Sequence, residues 1–181
     1  MLVVGFPTGA LQANCYLVAP GKGEACVIVD PGQDAEEAIA QAVLAHSSVR
    51  TAANVLARLN LAFADAVIAF YEAKYHYRIW RPISAIPNWN SLGTTPPDPS
   101  YPGAHSVISQ AAATILRYLV GQRQVLTVTS EALPGTVRHF TTFQQAADEA
   151  GLSRIYGGVH TRIDHVAGQQ LGLDVARLVL R

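Results

Sequence analysis

Near the C-terminus, the stretch from Ser153 to Asp164, SRIYGGVHTRID, carries Arg154, a glycine pair, His160 six residues after the arginine and Asp164 four residues further on. A guanidinium can grip an oxyanion, and a carboxylate beside an imidazole fixes its tautomer and raises its basicity, freeing the other ring nitrogen as a nucleophile or ligand. Two upstream segments add groups of the same use: Lys74 and Arg81 in KYHYRIWRP, and His105 in YPGAHS. The chemistry suggested is the binding of an oxyanion among fixed cations, with imidazoles at hand for nucleophilic and proton-transfer work.

Such groups need elements to position them. From Ala52 onward, Val55, Leu56, Leu59, Phe63, Val67, Phe70 and Tyr71 recur at intervals of threes and fours, which predicts one long helix with a buried stripe. On that helix Lys74 and Arg81 would sit seven residues apart on one face, and Pro82 would end it. The same two cations would equally suit a solvated basic helix end. A loop rich in Pro, Asn and Gly, from Pro87 to Pro102, is long enough to border a site. A helix is expected to begin near His105, with Val107, Ile108, Ala111, Ile115 and Leu119 inward. The amides around Gly103 and Ala104 would then be free to hold an anion, although a single histidine at a helix start also commonly serves structure alone. Residues 124–129 read as a short β-prone run, PGTVRHFTTF as a loop, and FQQAADEAG as a helix capped at Gly151. The stretch from Ser153 onward would form the last helix, with Val166, Leu171, Val175 and Leu178 inward and His160 and Asp164 on one face.

The first residues have a different texture. LVVGF, NCYLVA and ACVIVD read as strands with a PGKG turn, and a helix capped by Asp34, with Glu36 and Glu37 in its first turn, would follow. Cys15 and Cys26 have no CxxC spacing and no neighbouring histidine cluster, so they read as reduced core residues. This opening resembles the start of metallo-β-lactamase-fold hydrolases of the glyoxalase II type over about the first 45 residues. The H-x-H-x-D-H string of that family is replaced by HSSVRTAANV, so its dinuclear zinc activity is not implied. The change near His46 marks either a fused or recombined junction or an ordinary hairpin appendage, and divides the chain into 1–46 and 52–181.

Half of the 181 residues are apolar and 14% are charged, as in a packed chain. The formal net charge of zero removes the electrostatic argument for a nucleic-acid partner. Asn60 and Asp65 interrupt the longest apolar run, and the first residues lack a basic segment. The expectation is therefore a soluble, cytoplasmic protein without membrane spans or a signal peptide. Apolar helix faces left open by an incomplete bundle would favour a homo-oligomer.

Taken in order, Lys-x6-Arg-Pro, Tyr-Pro-x-x-His-Ser and Ser-Arg-x5-His-x3-Asp resemble the superfamily of type 2 phosphatidic-acid phosphatases, soluble bacterial acid phosphatases and vanadium-dependent haloperoxidases. The resemblance covers roughly Ala52 to Arg181. It implies a mainly α fold, a helical bundle of the acid phosphatase/vanadium haloperoxidase type, here with a small N-terminal β-hairpin element. It implies that Lys74, Arg81 and Arg154, with the amides of Gly103 and Ala104, bind vanadate or phosphate, that His105 is the general acid/base, that His160 attacks phosphorus or ligates vanadium, and that Asp164 holds the His160 ring. Where the family usually shows Pro-Ser-Gly-His, this chain has Pro102-Gly103-Ala104-His105, so one charge-assisted hydrogen bond is lost, roughly 1.5 to 3 kcal/mol of anion binding. Trp80 before Arg81 is similar to the soluble haloperoxidase branch, which implies vanadate as cofactor with peroxide and halide as substrates. The alternative is a phosphomonoester hydrolase acting through a phosphohistidine intermediate with no cofactor, and the second alternative is a non-catalytic remnant or fusion product.

Overall fold

In the computed structural model of the chain, residues 2–8, 13–19, 27–29, 49–122, 125–129 and 135–181 are described. The expected helix at Asp34, Glu36 and Glu37, the position of Cys26 and the change near His46 lie outside them. The order of elements is β1 (Leu2–Thr8), β2 (Ala13–Ala19), β3 (Val27–Val29), α1 (Val49–Tyr77), α2 (Pro82–Ala85), α3 (Ala104–Val120), β4 (Leu126–Thr129), β5 (Val137–Phe140), α4 (Phe143–Tyr156) and α5 (Arg162–Val179). The fold is mainly helical, as expected. It divides into two compact units, residues 1–59 with 116–143, and residues 60–115 with 144–181.

The first unit carries the sheet. β2 and β3, on either side of the PGKG turn signal, pair antiparallel as anticipated, with Tyr16 opposite Val29, and β1 pairs antiparallel with β2, Leu2 opposite Ala19 and Thr8 opposite Ala13. The sheet goes beyond a hairpin: its five strands follow the order β1-β2-β3-β4-β5, antiparallel except where β3 lies parallel to β4 at Ile28 and Val128. PGTVRHFTTF, expected as a loop, contains the edge strand β5. Val137, Arg138 and His139 are all exposed there, so the strand has no alternation of apolar and polar residues to announce it.

The second unit holds every residue singled out for chemistry. Along the part of α1 in this unit the buried positions are Ala62, Ala66 and Phe70, and the stripe, which begins at Val55 and Leu59 in the first unit, then reaches Lys74. Val67 and Tyr71, expected inward, are exposed. Alanines take the inward places because a helix packed at close range leaves no volume there for a larger side chain. α1 stops at Tyr77, before Pro82: Arg78 turns to φ 52 and its amide closes onto Lys74 O at 2.9 Å. Pro82 opens α2 at its first turn with Arg81 as the N-cap, where the missing proline N–H costs nothing. Arg81 is therefore not on the helix that carries Lys74. One window within 53–85 has a mean hydropathy of 1.4 and, by length and composition, is apolar enough to cross a membrane, which corrects the expectation that Asn60 and Asp65 rule out such a segment.

α3 is sunk in its unit, with Val107, Ala111, Ala112 and Ile115 buried. α5 crosses it at very short range. A Cβ on Gly168 would stand 2.7 Å from Gly103 O, and one on Gly172 would stand 2.2 Å from Val107 O, so only glycine permits the approach. Gly151 is not a cap: α4 runs through it to Tyr156, and its missing side chain makes room for the His165 ring, 2.5 Å from where a Cβ would be. α5 begins only at Arg162, and on it Val175 is buried while Val166 and Leu178 are exposed and Leu171 is half-buried.

Candidate functional site

The first turn of α5 sets the imidazole. Thr161 is its N-cap and accepts from the Asp164 amide at 3.4 Å, while Asp164 Oδ2 accepts from the Thr161 amide at 2.7 Å, a complete capping box. The same Asp164 oxygen accepts from Ser100 Oγ at 2.7 Å and lies 3.3 Å from His160 Nδ1. His160 thus precedes the helix instead of lying on it, and Asp164 meets it through the cap. A carboxylate acceptor at Nδ1 places the ring proton there. Nε2 is left with its lone pair, which faces Arg81 Nη1 at 3.1 Å.

Arg81 is the hub. Besides His160 it donates to Val159 O at 3.1 Å, to Asp98 O at 2.8 Å and to Asp98 Oδ1 at 3.2 Å. Lys74 is fully buried and reaches the other Asp98 oxygen, Oδ2, at 2.9 Å, with Ser100 O at 3.3 Å and Pro99 O as further acceptors. The long loop before α3 therefore does border the site, and it inserts a carboxylate into it. Asp98 and Ser100 did not stand out in the sequence; the one available signal was an acidic residue flanked by prolines in PPDPSYP.

Arg154 lies on the last turn of α4, and its carbonyl accepts from the Val159 and His160 amides at 3.1 and 3.2 Å. Its Nε is buried without a hydrogen-bond partner, alone in this among the described residues. A buried donor left unmade is costly unless something fills it. His105, in the first turn of α3, feels the charges of Arg154, His160 and Arg81, and Arg81 feels that of Arg154, so these groups share one electrostatic environment. Gly103 departs from expectation: its amide is taken by Asp164 O at 3.0 Å and is not free for an anion. Ala104 is the first residue of α3.

Burial shapes the ionisation. Desolvation raises the Asp164 carboxyl, but the hydrogen bonds from His160, the Thr161 amide and Ser100 outweigh it and hold the group at about 2. His160 is pushed below its ordinary value by desolvation, with Asp164 opposing and Arg81 assisting. His105 is driven down to about 4, first by desolvation and then by Arg154, His160 and Arg81. That residue exposes surface, which softens the desolvation, and its ring is neutral at pH 7. The Lys74 and Asp98 pair shifts unevenly. Lys74 is lowered by desolvation despite Asp98, whereas Asp98 is lowered because Lys74 and Arg81 outweigh its own burial. An ammonium donating to three oxygens is a charged one, and the pair is ionic. Beside Arg81 and Asp98 opens a cavity of about 410 Å³, walled by Trp80, Ile83, Thr95 and Pro97.

Residues 54–91 and 87–181 match the family model of the VCPO second helical-bundle domain. The chain is 25% identical to the vanadium chloroperoxidase of Curvularia inaequalis over 71% of this chain and 31% of that protein. Among solved structures it is similar to a bacterial vanadium-dependent iodoperoxidase, with a TM-score of 0.75, 32% identity, and coverage of 80% of this chain and 37% of the other. It shares the fold of a bacterial vanadium-dependent chloroperoxidase at a TM-score of 0.68, with 18% identity over 80% of this chain and 40% of the other. A stretch of 35 residues, 19% of this chain, is 60% identical to an uncharacterized protein of Mycobacterium leprae and covers 16% of it. These matches lend no support to the likeness between the first residues and metallo-β-lactamase-fold hydrolases. The chain spans between 16% and 40% of the length of these relatives.

Proposed function

Given that the chain belongs to the family of the VCPO second helical-bundle domain, we propose that Lys74, Arg81 and Arg154 form a cationic cup that holds vanadate and that the protein is a haloperoxidase. The observation that carries this reading is the buried Nε of Arg154, which has no hydrogen-bond partner among the described residues, on a residue whose carbonyl holds the His160 amide. An oxyanion supplies the acceptor that this donor lacks. Arg81 and Lys74 would add their charges, and His160 Nε2, with its proton held on Nδ1 by Asp164, is the ring atom fit to ligate vanadium.

Vanadate, when bound, supplies a Lewis-acidic centre able to activate hydrogen peroxide toward halide. The chain's own part is to neutralise the oxyanion, to keep the His160 tautomer and to move a proton. A His105 ring neutral at pH 7 can accept a proton from peroxide. Phosphomonoester hydrolysis is the second reading, favoured by the same His160 Nε2 lone pair: that atom would bond to phosphorus while the ester alkoxide leaves with a proton. The proton donor would have to be a protonated His105, and a pKa depressed toward 4 makes that form scarce at neutral pH.

Titration with vanadate, followed by halogenation with peroxide and bromide beside a phosphatase assay, separates the readings. Halogenation that requires added vanadate supports the haloperoxidase. Hydrolysis that vanadate inhibits supports the phosphatase. If neither vanadate nor phosphate raises the thermal midpoint, the cup is a structural remnant.

A further inference from the structure

We propose that Asp98 is an internal counter-anion of the cup, so that an oxyanion enters by exchanging with its carboxylate for Lys74 and Arg81. The inference rests on the reading of the cup as an oxyanion site and adds a residue that sets its affinity and charge preference.

Lys74 has no donor to spare. An ammonium has three N–H bonds, and those of Lys74 go to Asp98 Oδ2, Pro99 O and Ser100 O. A guanidinium has five, of which Arg81 gives two to the Asp98 residue, one to Val159 O and one to His160 Nε2. Arg81 keeps one Nη2 N–H to give, but Lys74 has none, so an oxyanion gripped by both must displace an acceptor of Lys74, and of the three only Asp98 Oδ2 belongs to a side chain that can turn away from it.

Charge leads to the same conclusion. Lys74 and Arg81 pair with Asp98, and His160 with Asp164, so counting the three cations Lys74, Arg81 and Arg154 against the two carboxylates, with neutral histidines, leaves the cup one net positive charge. With Asp98 in place, a singly charged oxyanion is balanced and a doubly charged one is not. The carboxylate has somewhere to go: its side chain is 18% exposed and borders the 410 Å³ cavity. Its backbone need not follow, because Asp98 O is held by Arg81 Nε and Pro97 and Pro99 restrict the chain on both sides. The exchange is thus a side-chain rotation from the cations into the cavity.

Inorganic phosphate is the probe, with binding read by calorimetry and by the thermal midpoint of the purified protein. Asp98→Asn removes the competing charge and is expected to tighten phosphate about tenfold and to enlarge its stabilisation by phosphate. Unchanged or weaker binding by the folded variant overturns the inference. If Asp98→Asn folds only with phosphate present, the anion is replacing the carboxylate, which supports it; a variant that phosphate cannot rescue counts against it. A wild-type crystal soaked in phosphate needs no variant. Phosphate in the cup with the Lys74–Asp98 pair broken supports exchange, whereas phosphate seated with the pair still at 2.9 Å refutes it. Arg154→Met keeps the two questions apart. Wild-type binding that depends on Arg154 but does not tighten in Asp98→Asn sinks only the role of Asp98, whereas phosphate bound by neither protein sinks the oxyanion reading and this inference with it.

Discussion

Asp164 serves two structures with one carboxylate: it closes the capping box of α5 and orients His160. Asp164→Ala removes the carboxylate half of the capping box, leaving the Thr161 cap itself in place, and takes their shared acceptor from the His160 imidazole N–H and the Ser100 hydroxyl. The expected loss is about 2 to 4 kcal/mol of stability, to be checked by urea denaturation. Arg154 is the opposite case. Its Nε has no hydrogen-bond partner among the described residues, so Arg154→Met should change the midpoint of the anion-free protein little and abolish the increase expected with vanadate. His105 governs a pH window. Its folded pKa of about 4 lies below the ordinary 6.5, so between those values the unfolded chain binds a proton that the folded chain refuses. Stability should fall as the pH drops from 6.5 toward 4, and His105→Gln should flatten that fall in melts recorded across the range. Asp164 adds a second, more acid window: its carboxylate contributes stability above its ordinary 3.8 that is lost as the pH falls through about 2.

At the scale of elements, the crossing of α5 over α3 decides where the site groups lie. The approach allowed by Gly168 and Gly172 brings Asp164 O onto the Gly103 amide, tying the turn before His105 to the helix start after His160. Gly172→Ala would put a methyl group 2.2 Å from Val107 O and should cost about 2 kcal/mol or more. Gly93→Ala meets nothing within 4 Å and serves as the neutral control in the same denaturation series. The long helix is legible from its periodicity, although its buried face is not fully so: small residues such as Ala62 and Ala66 carry little hydropathy, yet they mark the tightest packing. Its end is not legible, because a proline suits a helix start as well as a stop. Here Pro82 is a start, and the break comes at Arg78.

Over the whole molecule, the proposed oxyanion binding would be linked to folding. An oxyanion that binds only the folded chain, supplied at about a hundred times its Kd, should raise stability by about 2.7 kcal/mol, measurable as a rise in thermal midpoint that saturates with vanadate. The sheet of the first unit gathers strands from both ends of a long interval, since Ile28 of β3 pairs with Val128 of β4. No local pattern announces such a pairing. Sequence periodicity reports the environment of single segments, and partners distant along the chain are chosen only on folding.

The sequence by itself determined which residues are candidates for an oxyanion site, Lys74, Arg81, His105, Arg154, His160 and Asp164, because their types suit that chemistry and their order along the chain forms a pattern. It also determined a mainly helical fold, through apolar spacing. Only the tertiary structure decided how those groups are used. It spent the Gly103 amide on Asp164, left Arg154 Nε without a partner and brought Asp98 between Lys74 and Arg81. Hydrogen-bond partners are set by three-dimensional proximity across loops and helix crossings, and a donor's residue type does not reveal whether an acceptor is already waiting for it.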